Sequence, residues 1–291
     1  MQNLCARIQG EGIMSDEEIL STQFEPWEQA TITNAVMFRL VMEKPGLCKK
    51  LLERLLNITI SKMEIPEFEK DFREGMVSRG IRLDIYIEDA DGTAIDIEMQ
   101  AVTKSKEELG KRARYYQSIM DHNLLAKGQH YTKLRKSYII FICTFDPYGT
   151  GLPRYFFSNI CVADNSLELC DEAYKIFFNA SAVNMDNITK DQRAFLKYVN
   201  GGLAEDDFTR ELDSTVKEYR EDKRKKATYM TFQQDIMEIE ARGEMRGELK
   251  MAVQTVRNFM SKNPQKDVNT VMDDLSYEGE LREQILKHIM Q

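Results

Sequence analysis

Histidine is scarce in this chain, with three among 291 residues (His122, His130 and His288) and none at zinc-ligand spacing. A metal site here would be built from oxygen donors, which suit Mg2+ or Mn2+. Cysteine is nearly as sparse: the five are odd in number and form no CxxC pair. That excludes a disulfide framework and a zinc ribbon. Cys143 and Cys161 lie inside apolar runs, where a thiol acts as a small hydrophobe of a reduced, cytoplasmic protein. No run of 18 apolar residues exists, so no helix is expected to span a membrane. A basic segment leading into an apolar one is also missing, so residues 1–23 read as a polar leader rather than a signal peptide, and Met14 could be the translation start. No Ser-His-Asp arrangement, Walker-type loop or dinucleotide fingerprint is present.

Positive charge is in deficit too. The net charge is −8, which argues against a generic nucleic-acid coat protein. The distribution is uneven, however. From Lys104 to Lys136 nine basic residues face three acidic ones, a net of +6. Such an island is either a phosphate-facing surface or an ordinary solvated helix face.

The apolar pattern divides the chain in three: the leader, a mixed region over 24–182, and a charge-rich helical region over 183–291. Residues 27–44 have helical periodicity, with Thr33 or Asn34 as the cap and Pro45-Gly46 as the stop. A second helix follows, with Leu47, Leu51, Leu52, Leu55 and Leu56 on one stripe, ending near Asn57. A helix over about 106–125 has Leu109, Ala113, Tyr116, Met120 and Leu124 on its apolar side and Lys111, Arg114, Tyr115 and Ser118 on another. Ser137–Phe145 is nearly all apolar, the pattern of a central strand buried on both faces. Arg154–Val162 and Tyr174–Phe178 read as further strands. In the last region, the glycines of Arg242-Gly243-Glu244 and Arg246-Gly247-Glu248 predict a weak helix, broken at Asn263-Pro264 and followed by two short ones.

Two stretches alternate strictly: Ile81-Arg82-Leu83-Asp84-Ile85-Tyr86-Ile87 and Ile95-Asp96-Ile97-Glu98-Met99-Gln100. Strict alternation is the mark of a strand with one buried face. Between them lies Glu88-Asp89-Ala90-Asp91-Gly92-Thr93, with an Asp-Gly turn signal. A three-residue loop, Ala90-Asp91-Gly92 with Gly92 left-handed, pairs Asp89 with Thr93. It also pairs Tyr86 with Asp96, Asp84 with Glu98 and Arg82 with Gln100. A two-residue loop would mix polar and apolar faces, which a buried face forbids. Two carboxylates directly across a strand pair repel by about 4 kcal/mol at 4 Å if the effective dielectric is near 20, and by about 1 in water. Either water or a divalent cation must answer that repulsion. The pattern alone fits both a solvent-facing hairpin side and a metal site.

These residues resemble the PD-(D/E)XK nuclease superfamily, in its bacterial branch of PD-(D/E)XK family transposases, or recombination-promoting nucleases. Three further stretches in matching order carry the likeness: Lys111-Arg112-Ala113-Arg114-Tyr115-Tyr116-Gln117, then Phe141-Ile142-Cys143-Thr144-Phe145-Asp146-Pro147, then Arg154-Tyr155-Phe156-Phe157. The likeness spans roughly 30–180, with an echo near 235–248. It implies an α/β fold, a restriction-endonuclease-like mixed sheet flanked by helices, with a mainly α-helical C-terminal region. It implies a catalytic trio of Asp84, Glu98 and Gln100, with Asp84, Glu98 and the Met99 backbone carbonyl holding Mg2+ or Mn2+. Gln100 stands where the superfamily usually has lysine; an amide orients but carries no charge, and Arg82 is a candidate for the missing cation. Lys111, Arg114 and Tyr115, with Arg82, would meet DNA. An acidic residue of the first helices, Glu43 or Glu53, would complete the site. Asp96 is a weaker candidate whose simpler role is a hydrogen bond to Tyr86. The implied activity is divalent-metal-dependent DNA cleavage tied to recombination or mobile elements. The alternatives are a nuclease-fold protein that binds DNA or assembles without cutting, and a helical C-terminal region that makes a homo-oligomer.

Overall fold

The computed structural model describes the backbone of residues 25–60, 67–72 and 81–289; the side chains of 67–72, 81–84 and several positions between 235 and 244 lie outside that description, as does the polar leader. The chain forms two compact units, one ending at Tyr229 and one beginning at Met230.

The single helix expected over 27–44 is interrupted. A 3-10 turn covers Trp27–Gln29, and the α-helix, α1, spans only Ala35–Met42. The reason is local: the Asn34 side chain accepts from the Val36 and Met37 amides, which fixes the start of the helix there. Pro45 does not stop this helix but opens the next, α2 (Pro45–Leu56). At a first helical position its missing N–H costs nothing. Asn57, in the left-handed conformation (φ 54°), ends α2 near the expected place.

A six-stranded mixed sheet follows, in the order β1-β2-β3-β4-β8-β5. Its strands are β1 (Glu67–Phe72), β2 (Ile81–Glu88), β3 (Ala94–Gln100), β4 (Ser137–Cys143), β5 (Arg154–Phe157) and β8 (Ala173–Asn179). β3, β4 and β8 are parallel, and the other pairings are antiparallel. β4 sits centrally and is buried on both faces, as its apolar run predicts. The strand expected over Arg154–Val162 breaks after Phe157. Ile160–Cys161 instead forms β6, paired with β7 (Asp164–Glu168) in a separate two-stranded ribbon. Of the described cysteines, Cys48 and Cys143 are core thiols, whereas Cys161 is half-buried and Cys170 exposed.

The β2–β3 hairpin has the expected register. Tyr86 faces Asp96 and Ile85 faces Ile97. Asp89 N–H donates to the Thr93 carbonyl at 3.0 Å, and Gly92 has φ +80°. The Asp89 carboxylate closes the turn by accepting from the Asp91 and Thr93 amides. A Cβ on Gly92 would also lie 3.0 Å from the Arg135 side chain. Gly92→Ala should therefore cost about 1–2 kcal/mol for the left-handed backbone alone, read as a lowered urea midpoint with unchanged slope. An unchanged midpoint would contradict it.

One face of the sheet carries α3 (Lys106–Leu124), whose N-terminus is capped by the Ser105 hydroxyl on the Glu108 amide. Leu109, Ala113 and Met120 of α3 pack with Tyr86, Ala94, Ile139, Phe141, Cys143 and Phe177 in one cluster. The first unit runs on past Ala182. It takes in α4 (Lys190–Val199) and α5 (Asp207–Glu221), each opened by a capping box. Gln192 reaches the Leu55 carbonyl at 2.8 Å, and Arg54 pairs with Asp206, so both helices dock on α2. Trp27 is buried in the same region. Its indole donates to the Arg220 carbonyl (3.1 Å), and Arg220 Nε donates to the Ala30 carbonyl (2.7 Å).

α6 (Lys223–Lys262) runs unbroken through the glycines expected to weaken it, then α7 (Val268–Asp274) and α8 (Gly279–Ile289) follow as the two short helices. The second unit gathers Ala252, Val256, Val271, Met272 and Ile285 into its own small core. No helix among the described residues is long and apolar enough to cross a membrane.

Candidate active site

Alternation along β3 sends Asp96, Glu98 and Gln100 to one face. The parallel register sets them beside Ile139, Phe141 and Cys143 of β4, the face that α3 covers. This polar row is therefore not a solvent-facing hairpin side. Asp96 is fully buried, and Glu98 and Gln100 are 4% and 8% exposed. The observed β2–β3 pairing runs from Glu88–Ala94 to Ile85–Ile97, one position short of Asp84 and Glu98. The side chains of Asp84 and Arg82 lie outside the described ones.

Burying a carboxylate is costly unless it is paired and hydrogen-bonded. The partner of Glu98 is Arg112 of α3. One guanidinium nitrogen lies 3.2 Å from Glu98 Oε2 and donates to the Tyr116 hydroxyl at 3.0 Å. The other donates to Gln100 Oε1 at 2.7 Å. The guanidinium also lies over the rings of Tyr116 and Phe141, 5.5 and 5.4 Å from their centroids. Gln100 completes the set by donating from Nε2 to the Val102 carbonyl at 2.7 Å. With its carbonyl on the cation and its amide on the backbone, Gln100 has a fixed orientation.

In the sequence, Arg112 counts among nine basic residues and within the Lys111–Gln117 stretch, but has no place in the expected site. A sharper signal was there: it stands three residues after Leu109 and four before Tyr116, a charge inside the apolar stripe. Tyr116 belongs to the core side as expected, packed against Phe141, but its hydroxyl is also an acceptor for Arg112. Burial, and then the Glu98 charge, push the Tyr116 phenol up to about 12. Burial pushes the Cys143 thiol, beside Gln100 in the register, to about 12 as well. Both stay protonated at neutral pH and offer no competing nucleophile.

The remaining candidates fall out as follows. Lys111, Arg114 and Tyr115 lie on the outward side of α3, and all three are exposed. Glu53 accepts from the Ile60 amide at 2.8 Å, and Glu43 pairs with Lys225 at 2.8 Å, so each has a structural task on the helical side. The hydrogen bond expected between Asp96 and Tyr86 is replaced. The Tyr86 hydroxyl gives its proton to Glu88 Oε1 at 2.9 Å, two residues along the same strand face.

Beyond β4, at the Gln100 end of the sheet, Asp146 organises the turn that follows. Its carboxylate accepts from the amides of Tyr148, Gly149 and Gly151 and from the Tyr155 hydroxyl. Burial works against the charge, but these four donors prevail and hold Asp146 below the usual carboxylate range. A depressed folded value means this contribution is present at neutral pH and is lost as pH falls through that value.

The donors along β3 are all oxygen: carboxylates, an amide carbonyl and the Met99 backbone carbonyl. That chemistry fits Mg2+ or Mn2+ and disfavours softer metals. Among the described residues no group of three or more His, Cys, Asp or Glu side chains is arranged to hold a metal ion.

A family model described as PD-(D/E)XK nuclease family transposase matches residues 34–254. No curated protein and no solved structure gives a match.

Proposed function

Because the chain belongs to the PD-(D/E)XK nuclease family transposases, we propose that it is a divalent-metal-dependent DNA endonuclease whose site is the Asp84–Glu98–Gln100 row with Arg112 above it. The observation that carries this reading is the Arg112 guanidinium, which joins Glu98 to Gln100 within a buried face. It supplies a positive charge where the glutamine has none. Asp84, Glu98 and the Met99 carbonyl are the residues that would hold Mg2+ or Mn2+. A bound ion of this kind would acidify a water and draw charge from the scissile phosphate. Gln100, held by Arg112 and Val102, is placed to orient that water or a phosphate oxygen. Arg112 gives the buried Glu98 carboxylate a cationic partner. Lys111, Arg114 and Tyr115 on the outer side of α3, with Arg82, would position the DNA backbone without reading sequence.

The test is nicking of supercoiled plasmid with purified protein. Cleavage is expected with Mg2+ or Mn2+, lost on adding EDTA and regained when the ion is returned in excess. Cleavage that persists through EDTA would end the metal-dependent reading. A second reading is favoured by the same ion pair: Glu98 already has a cationic partner and little exposure, as in a nuclease-fold protein that binds DNA or assembles without cutting. It predicts DNA binding with no nicking under any divalent ion.

A further inference from the structure

The segment from His122 to Phe145 contains no Asp or Glu, in a protein of net charge −8. Its four cations are Lys127, Lys133, Arg135 and Lys136, and they divide into two pairs. Arg135 is tied to Glu88 at 2.8 Å and Lys136 to Glu172 at 3.6 Å. These two fasten the segment to the β2–β3 hairpin and to the residue before β8. The Lys136 carbonyl also accepts from the Ala94 amide at 2.9 Å. Lys127 and Lys133 are exposed and make no ion pair among the described residues.

Between those two lysines stands Tyr131, 82% exposed, the most exposed aromatic among the described residues. It is not on a floppy loop. A 3-10 turn covers Tyr131–Lys133, and the His130 ring accepts from the Thr132 amide to cap it. The Lys133 and Leu134 amides donate to the His130 and Tyr131 carbonyls, at 2.9 Å each. Upstream, the Gln129 side chain accepts from the Ala126 amide while its own amide donates to the Ala126 carbonyl. Gly128, at φ +87°, allows the reversal. The segment spends this many local bonds on a turn that holds an aromatic ring in water.

An exposed aromatic ring with an exposed lysine on either side of it in sequence, neither in an ion pair among the described residues, has a matching ligand: an unpaired base stacks on the ring while its flanking phosphates meet the lysines. We propose that the 126–135 turn is a docking site for single-stranded DNA, with Tyr131 as the stacking platform and Lys127 and Lys133 as phosphate contacts. A duplex fits less well, because its bases already stack on one another and offer Tyr131 no free face. The turn lies at the Ala94 end of β3. Glu98 is four residues along that strand from Ala94, roughly 13 Å at ~3.3 Å per residue. The inference rests on the nucleic-acid part of the function proposed above and not on cleavage.

The experiment is fluorescence anisotropy with a labelled oligo-dT and with a labelled duplex of equal length, in EDTA so that no cutting intervenes. Tyr131→Ala is expected to weaken oligo-dT binding about tenfold, whereas Tyr131→Phe binds as the unsubstituted protein does. Lys127→Ala and Lys133→Ala should each reduce the salt slope of oligo-dT binding by roughly 0.7. The duplex should lose less than twofold in Tyr131→Ala. Equal losses on duplex and single strand, a Phe variant as weak as Ala, or no loss on either ligand would each overturn the proposal. Because no metal is present, a protein inactive as a nuclease but binding in this pattern would sink the cleavage reading alone.

Discussion

Glu98→Gln is expected to lower plasmid nicking by on the order of a thousandfold or more while leaving the fold intact. A metal ion stabilises developing charge on a phosphate by several kcal/mol, and each ~1.4 kcal/mol is a factor of ten in rate. The amide keeps the size of Glu98 and an oxygen for Arg112 to donate to, but removes the charge that would hold the ion. Arg112 then loses its ion pair with Glu98. Its side chain is 28% exposed, so water partly solvates the guanidinium and the structural cost stays small. Asp84→Asn should behave alike, since Asp84 is the other carboxylate proposed to hold the ion. Circular dichroism and the thermal midpoint verify folding in the same preparations. Nicking within tenfold of the unsubstituted protein in either variant would remove these carboxylates from the site.

Arg112→Ala has the opposite profile: its first effect is on stability. It removes the cation beside Glu98, whose side chain is only 5% exposed, and takes a hydrogen-bond partner from Gln100 and Tyr116. Breaking a buried pair from one side typically costs about 3–5 kcal/mol. At the lower figure the midpoint of the first unit should fall by roughly 6–12 °C. Adding Glu98→Gln should recover much of that loss, the non-additivity expected of residues in contact. Lys111→Ala, one residue away but solvated, should stay within about 0.5 kcal/mol. If Arg112→Ala matches Lys111→Ala, the ion pair is not holding the sheet to α3. The same geometry speaks to the glutamine. Restoring the superfamily's usual lysine at 100 would set an ammonium where Gln100 Oε1 now accepts from Arg112 at 2.7 Å. Like charges at about 4 Å repel by about 4 kcal/mol in such surroundings. Gln100 and Arg112 thus form a unit in which one cation, delivered by the helix, serves both side chains.

Much of this was legible from residue order. Strict alternation and one Asp-Gly turn sufficed for the hairpin register, because a one-residue slip would turn every isoleucine to the wrong face. The α3 stripe, the central strand β4 and the break at Asn263-Pro264 were legible for similar reasons: each is a local pattern with a local cause. What was not legible depends on partners distant in the chain. Alternation shows that Asp96, Glu98 and Gln100 share a face, but not that a helix covers it; Arg112 does that from fourteen residues beyond Glu98. Amphipathic helices after Ala182 look alike whether they form a separate body or dock on α2. Long-range bonds such as Gln192 on the Leu55 carbonyl and Arg54 on Asp206 assign α4 and α5 to the first unit. At the start of the fold, Asn34, one of the two caps the sequence offered, does cap α1; what the pattern missed is that Pro45 opens α2 instead of stopping α1.

The bond from the Trp27 indole to the Arg220 carbonyl joins residues 193 positions apart. On a ribosome adding about 5–20 residues per second, Arg220 emerges roughly 10–40 s after Trp27. During that interval the sheet can assemble, but the indole and the apolar sides of α1 and α2 have no lid. Their closing element, α5, has not yet been made. A nascent chain arrested between Tyr116 and α5 would show these surfaces to chaperones and proteases, although every residue of the candidate active site had already been synthesised.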